Sequence, residues 1–124
     1  MHIIHAKDAP TFALPGIEFT GFASPSRGDS EINTWQIRVE AGHRSGESHT
    51  LDQDEIFFVT SGAIRLSPGG AELHPGDAAV VPAGEPIQLD NIGDGPATAY
   101  VVVKAGFQAA MADGTAIGTP PWAR

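Results

Sequence analysis

Between turn signals the chain repeats short apolar runs, of a length that suits strands and falls short of helices. They predict strands near residues 18–22, 33–40, 54–60, 62–67, 77–81, 86–91 and 97–104. The clearest is Thr34-Trp35-Gln36-Ile37-Arg38-Val39-Glu40, where strict alternation turns Trp35, Ile37 and Val39 inward and Gln36, Arg38 and Glu40 toward water. The same period gives Ile87, Leu89 and Asn91 one direction and puts Phe57 and Phe58 on opposite faces. Turn residues punctuate the runs at Ala41-Gly42, Ser61-Gly62, Ser67-Pro68-Gly69-Gly70, His74-Pro75-Gly76-Asp77, Pro82-Ala83-Gly84 and Gly93-Asp94-Gly95-Pro96. Many short strands so punctuated indicate an all-β sandwich or barrel of the jelly-roll type.

The flanks read differently. Residues 1–31, with Pro10, Pro15, Pro25 and the turn-forming Ser24-Pro25-Ser26-Arg27-Gly28-Asp29, read as an arm carrying one or two strands. Residues 105–124 show little period and contain Pro120-Pro121-Trp122, which suggests a tail folded over the barrel or onto a partner subunit, because an indole left in water wastes a large apolar area. The core is therefore expected over about 32–104, within a single domain spanning 1–124, a length that suits one core and not two.

Composition narrows the chemistry. Fifteen acidic residues against seven basic give a net charge of −8, which repels phosphate backbones and makes nucleic acid a poor partner. With no cysteine, disulfides, thiolate metal sites and a cysteine nucleophile are excluded. No apolar stretch approaches the length of a membrane span and the first residues do not resemble a secretion signal, so the expected location is cytoplasmic, away from membranes.

The segment from Gly42 to Gly62 holds the candidate chemistry, since it places His49 and Glu55 at even separation on a chain that turns into the apolar run Ile56-Phe57-Phe58-Val59. This segment resembles the first motif of the cupin superfamily, G-x5-H-x-H-x3/4-E-x6-G: Gly42 opens it, Glu55 matches the glutamate and Gly62 closes it. The second cupin motif, G-x5-P-x-G-x2-H-x3-N, matches at Gly76, Pro82, Gly84 and Asn91, with Ile87 in the histidine position. The resemblance implies a jelly-roll barrel, or double-stranded β-helix, whose interior is a ligand cavity, and a metal held by three histidines and a glutamate. With three residues between the pair and Glu55, the His-x-His pair falls on His49 and Leu51, at the cost of one extra residue after Gly42; with four between, it falls on Ser48 and Thr50. The first count keeps His49, Leu51 and Glu55 on one parity. It leaves His49 and Glu55 as the two remaining metal ligands, with Leu51 and Ile87 where imidazoles belong. Gln53 or Gln88 would have to complete a weak divalent-metal site.

Without a metal, a histidine beside a glutamate in an apolar pocket still suits general acid/base work, with His49 moving the proton and Glu55 orienting and charging it. The plainer alternative is that the two bond to each other and pin the strand. The expected pocket is lined by Trp35, Ile37, Val39, Leu51, Phe57, Ile87 and Leu89; Tyr100 either donates its hydroxyl there or packs between sheets. Arg27 either leans over the pocket to hold an anion or lies solvated in its turn. His43 is expected to be exposed at a loop start, within reach of the rim, His74 in a surface turn, and Asp77 and Asn91 in backbone-capping roles. Besides a divalent-metal cupin enzyme with that incomplete ligand set, two functions fit: an isomerase-, lyase- or cyclase-like enzyme acting on a small organic molecule, or a non-catalytic module that binds one. Dioxygenase chemistry fits less well, because it needs a redox metal with open positions. A homodimer is expected in either case, with the arm and Trp122 as contacts.

Overall fold

The computed structural model describes residues 1–28 and 31–124; Asp29 and Ser30, part of the expected arm and of its turn-forming segment, lie outside the described residues. Twelve strands form it: β1 Thr11–Leu14, β2 Ile17–Gly21, β3 Ile32–Val39, β4 His49–Leu51, β5 Glu55–Ser61, β6 Ile64–Ser67, β7 Glu72–Leu73, β8 Ala78–Val81, β9 Gln88–Asn91, β10 Ala97–Lys104, β11 Ala109–Met111 and β12 Ala116–Gly118. One layer is a six-stranded antiparallel sheet in the order β1-β2-β3-β10-β5-β8. The facing layer has two three-stranded sheets, β12-β11-β4 and β7-β6-β9, stitched together where His49 and Ile87 exchange backbone hydrogen bonds of 3.0 and 2.9 Å. The result is an all-β jelly roll.

Alternation builds the interior. On β3 and β10 the buried positions are Asn33, Trp35, Ile37, Val39 and Ala97, Ala99, Val101, Val103, and the register sets them in rows: Trp35–Val101–Phe57, then Ile37–Ala99–Val59. Small alanines beside Ile37 and Val39 let the facing layer approach. The β5–β6 connection turns at Gly62, whose φ of 72° is left-handed and where a Cβ would fall 2.7 Å from Ala97 Cα and Pro96 O. Only glycine fits that turn.

The tail folds over this chain's own barrel, one of its two expected placements, and carries strands that its sequence pattern did not show. Residues 105–124 contain β11, β12 and a 3-10 turn at Pro121–Ala123, and β11 pairs with β4 in the register Ala109↔Leu51, Ala110↔Thr50, Met111↔His49. Trp122 stacks on Phe19 with centroids 3.7 Å apart and planes at 8°, so it packs on this chain's own β1–β2 hairpin. Phe107 is fully buried against Trp35, with ring centroids 5.8 Å apart.

Candidate functional site

His49 stands on a strand of three residues, held by β11 on one side and by the Ile87 backbone on the other. Directly paired residues project to the same face, so the His49 and Ile87 side chains lie side by side. The chain before β4 continues along β9: the Ser45 N–H donates to Leu89 O at 3.2 Å, Ser45 Oγ accepts from the Leu89 N–H at 2.8 Å, and the Asn91 N–H donates to His43 O at 2.9 Å. Glu55 opens β5 on the inner face, in the row Asn33–Val103–Glu55–Val81. The two layers thus enclose a cavity of about 210 Å3. Its polar groups are Ser45, His49 and Glu55, and its apolar wall includes Trp35, Ile37, Phe57, Ile87, Leu89 and Val101 from the barrel and Leu14, Ile17 and Phe19 from the β1–β2 hairpin.

No hydrogen bond joins His49 to Glu55, and neither side chain bonds to another described residue. Their electrostatics therefore differ from the expected charged pair. Burial pushes the Glu55 carboxyl up to about 8 and holds His49 below its ordinary value. Near neutral pH the cavity presents a protonated acid and an unprotonated imidazole.

Several expected residues lie elsewhere. Val39 and Leu51 are buried in the core and do not line the cavity, whose wall is drawn from the other inward positions of β3, β5 and β9 and from the β1–β2 hairpin. Tyr100 points out of the barrel, 37% exposed and 5.9 Å from the Phe22 ring, since the inward parity of β10 belongs to Ala99 and Val101. Arg27 does not face the cavity: its Nε donates to Phe22 O at 2.8 Å and its Nη2 to Trp122 O at 2.5 Å, so it clamps the tail and has no anion to hold. Gln53 lines an outer groove and Gln88 donates to Gly46 O, which removes both from the cavity. His43 sits beneath the Gly16 turn and His74 is exposed near Glu72. Asp77 Oδ2 accepts from the His74 N–H, and Asn91 ties Val39 O, Glu40 O and Gly95 O together. Leu14, Ile17, Phe19, Ser45 and Val101 are the lining residues that sequence did not single out. Alternation in Ile17-Glu18-Phe19 was the available signal.

A family model described as the cupin domain matches residues 35–103, more than half of the chain. The chain belongs to the cupin family. None of the curated proteins matches it by sequence. Among solved structures it is similar to a cupin-superfamily sugar phosphate isomerase from Silicibacter pomeroyi DSS-3, at 32% identity and TM-score 0.67 over 80% of this chain and 67% of that one. It is also similar to the polyketide cyclase RemF from Streptomyces resistomycificus, at 17% identity and TM-score 0.73 over 84% and 79%. An RmlC-like cupin from Ralstonia eutropha JMP134 matches at 14% identity and TM-score 0.75 over 97% and 78%. The last two likenesses show the fold alone.

Cupins often bind a metal, and this cupin's donors fit that role poorly. Among the described residues no group of three or more His, Asp or Glu side chains is placed to hold an ion. The paired position next to His49 is Ile87, and Leu51 lies in the core. Two side-chain donors fall short of the three or four that zinc and its neighbours take from protein.

Proposed function

We propose that this cupin catalyses proton transfer on a small organic molecule held in the barrel cavity, with neutral His49 as base and protonated Glu55 as acid. The observation that carries the reading is that these two unpartnered groups converge on one cavity whose walls are otherwise almost entirely apolar. Chemically, His49 takes a proton from a carbon beside a carbonyl while Glu55 gives its proton to the carbonyl oxygen. The C–H bond breaks, an N–H forms, and an enol results. Where a carbon–carbon double bond adjoins that carbon the enol is a dienol; returning the His49 proton to its far carbon, and the enol proton to Glu55, shifts the double bond into conjugation and completes an isomerisation with both residues restored. Expulsion of a leaving group, or ring closure from the enol, uses the same two positions. No step passes through a metal.

The test is turnover of a carbonyl substrate by His49→Gln and Glu55→Gln, each expected to lower kcat by about 100-fold or more. Activity is also expected to fall at low pH as His49 protonates and to fall again above about 8 as Glu55 ionises. Unchanged kcat in both variants refutes the proton-transfer reading. The predominantly apolar wall favours the second reading, a cupin that binds such a molecule without transforming it; that reading predicts altered affinity in both variants with no turnover in the native chain.

We further infer that the partner, besides the small molecule, is a second copy of the chain. The support is the outer face of β3, β10, β5 and β8, where Phe58 is 47% and Val80 65% exposed while no carboxylate points outward, in a chain of net charge −8.

A further inference from the structure

We propose that the cavity selects an uncharged, single-ring molecule bearing one carbonyl or hydroxyl oxygen, and rejects anions, sugar phosphates among them. The inference rests on the cavity being the working site described above, and it adds the class of molecule that enters.

Charge decides the first half. None of the residues lining the cavity is Lys or Arg. Three of the chain's arginines are engaged elsewhere: Arg27 on Phe22 O and Trp122 O, Arg44 on Asp90 at 3.2 Å, and Arg65 on Glu72 at 3.0 Å. A phosphate or carboxylate placed beside His49 and Glu55 would shed its water with no cation to face it. A neutral oxygen avoids that penalty and still finds Ser45, His49 and Glu55 as hydrogen-bonding groups in the wall.

Shape decides the second half. Phe19, Trp35 and Phe57 supply three rings to the wall, and two of them are braced from behind by the C-terminal segment. Trp122 covers one face of Phe19 at 3.7 Å, and Phe107 stacks on Trp35 at 5.8 Å. Arg27 holds the Trp122 backbone, and the Ser24 and Ser26 hydroxyls donate to Arg124 O at 2.8 and 2.5 Å. Such fixed aromatic surfaces favour a flat ring over a flexible chain. At about 210 Å3 the space accommodates one ring with a short substituent.

The test compares benzamide with benzoate, alike in shape and different in charge, and adds ribose 5-phosphate. Each is titrated near neutral pH into the full native chain labelled with 15N, following the Trp35 indole N–H in two-dimensional NMR. Benzamide is expected to shift the Trp35 signal saturably, with benzoate and ribose 5-phosphate weaker by more than about 100-fold. Benzoate or the sugar phosphate moving Trp35 at concentrations similar to benzamide overturns the proposal, as does a Trp35 signal that no neutral ring moves. The same titration on His49→Gln separates this inference from the proton-transfer reading. Charge selectivity kept while turnover is unaffected by the substitution sinks the catalytic reading alone; anions binding as tightly as benzamide while the substitution abolishes turnover sinks the selectivity alone.

Discussion

A carboxyl group held at about 8 against its usual 4.5 keeps its proton in the folded chain over a range where the unfolded chain has lost it. The folded state binds more protons there, so stability falls as pH rises from about 4.5 to about 8 and is level above it. At about 1.4 kcal/mol per pKa unit the full effect is a few kcal/mol. His49 has the opposite sign: its pKa lies below 6.5, the unfolded chain protonates first, and stability is lost as pH falls through that region. Glu55→Gln is therefore expected to match the native chain near pH 4, to exceed it by a few kcal/mol near pH 9, and to lose the downward slope between, as read by urea denaturation across pH. An unchanged slope would mean that Glu55 is already ionised in the fold. Ile87 gives a second residue-scale prediction, because its backbone is paired to His49 and both side chains line the cavity with Glu55. Ile87→His brings the donor count to three, and metal analysis of protein purified with zinc present is expected to rise from below about a tenth of an equivalent to near one. At this scale His49 and Glu55 were legible from their residue types and their places in the first cupin motif; their even spacing did not place them, because they stand on β4 and β5 in facing layers. Tyr100 was not: in Ala99-Tyr100-Val101-Val102-Val103 every neighbour is apolar, so the run has no polar position to mark which face is out.

At the scale of elements, the long strands were readable and the short ones were not. β3 alternates over eight residues, enough to show its period, whereas β4, β11 and β12 have three each, less than two repeats of the pleat. Their existence depends on pairing between segments far apart in sequence, Met111 with His49 for example, which local pattern cannot report. That pairing matters to the site, since β11 is half of what holds the His49 strand. The tail's other anchor passes over Gly21, where a Cβ would lie 2.5 Å from Arg27 Nη2 and 2.8 Å from Trp122 O. Gly21→Ala is expected to cost about 1–3 kcal/mol by thermal or urea denaturation, through displacement of Arg27 and the Trp122 turn. In an Arg27→Ala background the same substitution should cost less, because the guanidinium is gone. Equal losses in both backgrounds would mean that the Trp122 carbonyl alone opposes the added methyl.

At the scale of the molecule, the cupin motifs at Gly42–Gly62 and Gly76–Asn91 carried the architecture, since their glycines, proline and asparagine mark turns that close the barrel in one way. What they did not indicate was the surface left over. The arm and Trp122 were the expected dimer contacts, yet Trp122 is spent on Phe19 within its own chain. Besides scattered exposed residues such as Ile3, Leu14 and Ile117, apolar side chains gather on one sheet face in register: Val80–Ile56–Val102 form one row and Ala78–Phe58–Tyr100 the next. Copies of net charge −8 repel one another over most of their surface. In the dimer proposed above this face is the contact: its outward charges on β3 and β10 are Arg38 and Lys104, and the nearest carboxylate on the sheet, Glu18, sits beside Arg38. A twofold axis through it would stack like rows in an isologous sheet-on-sheet contact. Sedimentation of the native chain is expected to give twice 12.9 kDa, dissociating on dilution to the monomer. Phe58→Glu sets a carboxylate in the middle of the face and is expected to give the monomer at every concentration, with the circular dichroism of the fold and the Trp35 response to benzamide both retained. A native chain that sediments as a monomer throughout, or a dimer indifferent to Phe58→Glu, would assign the pairing to another surface or to none.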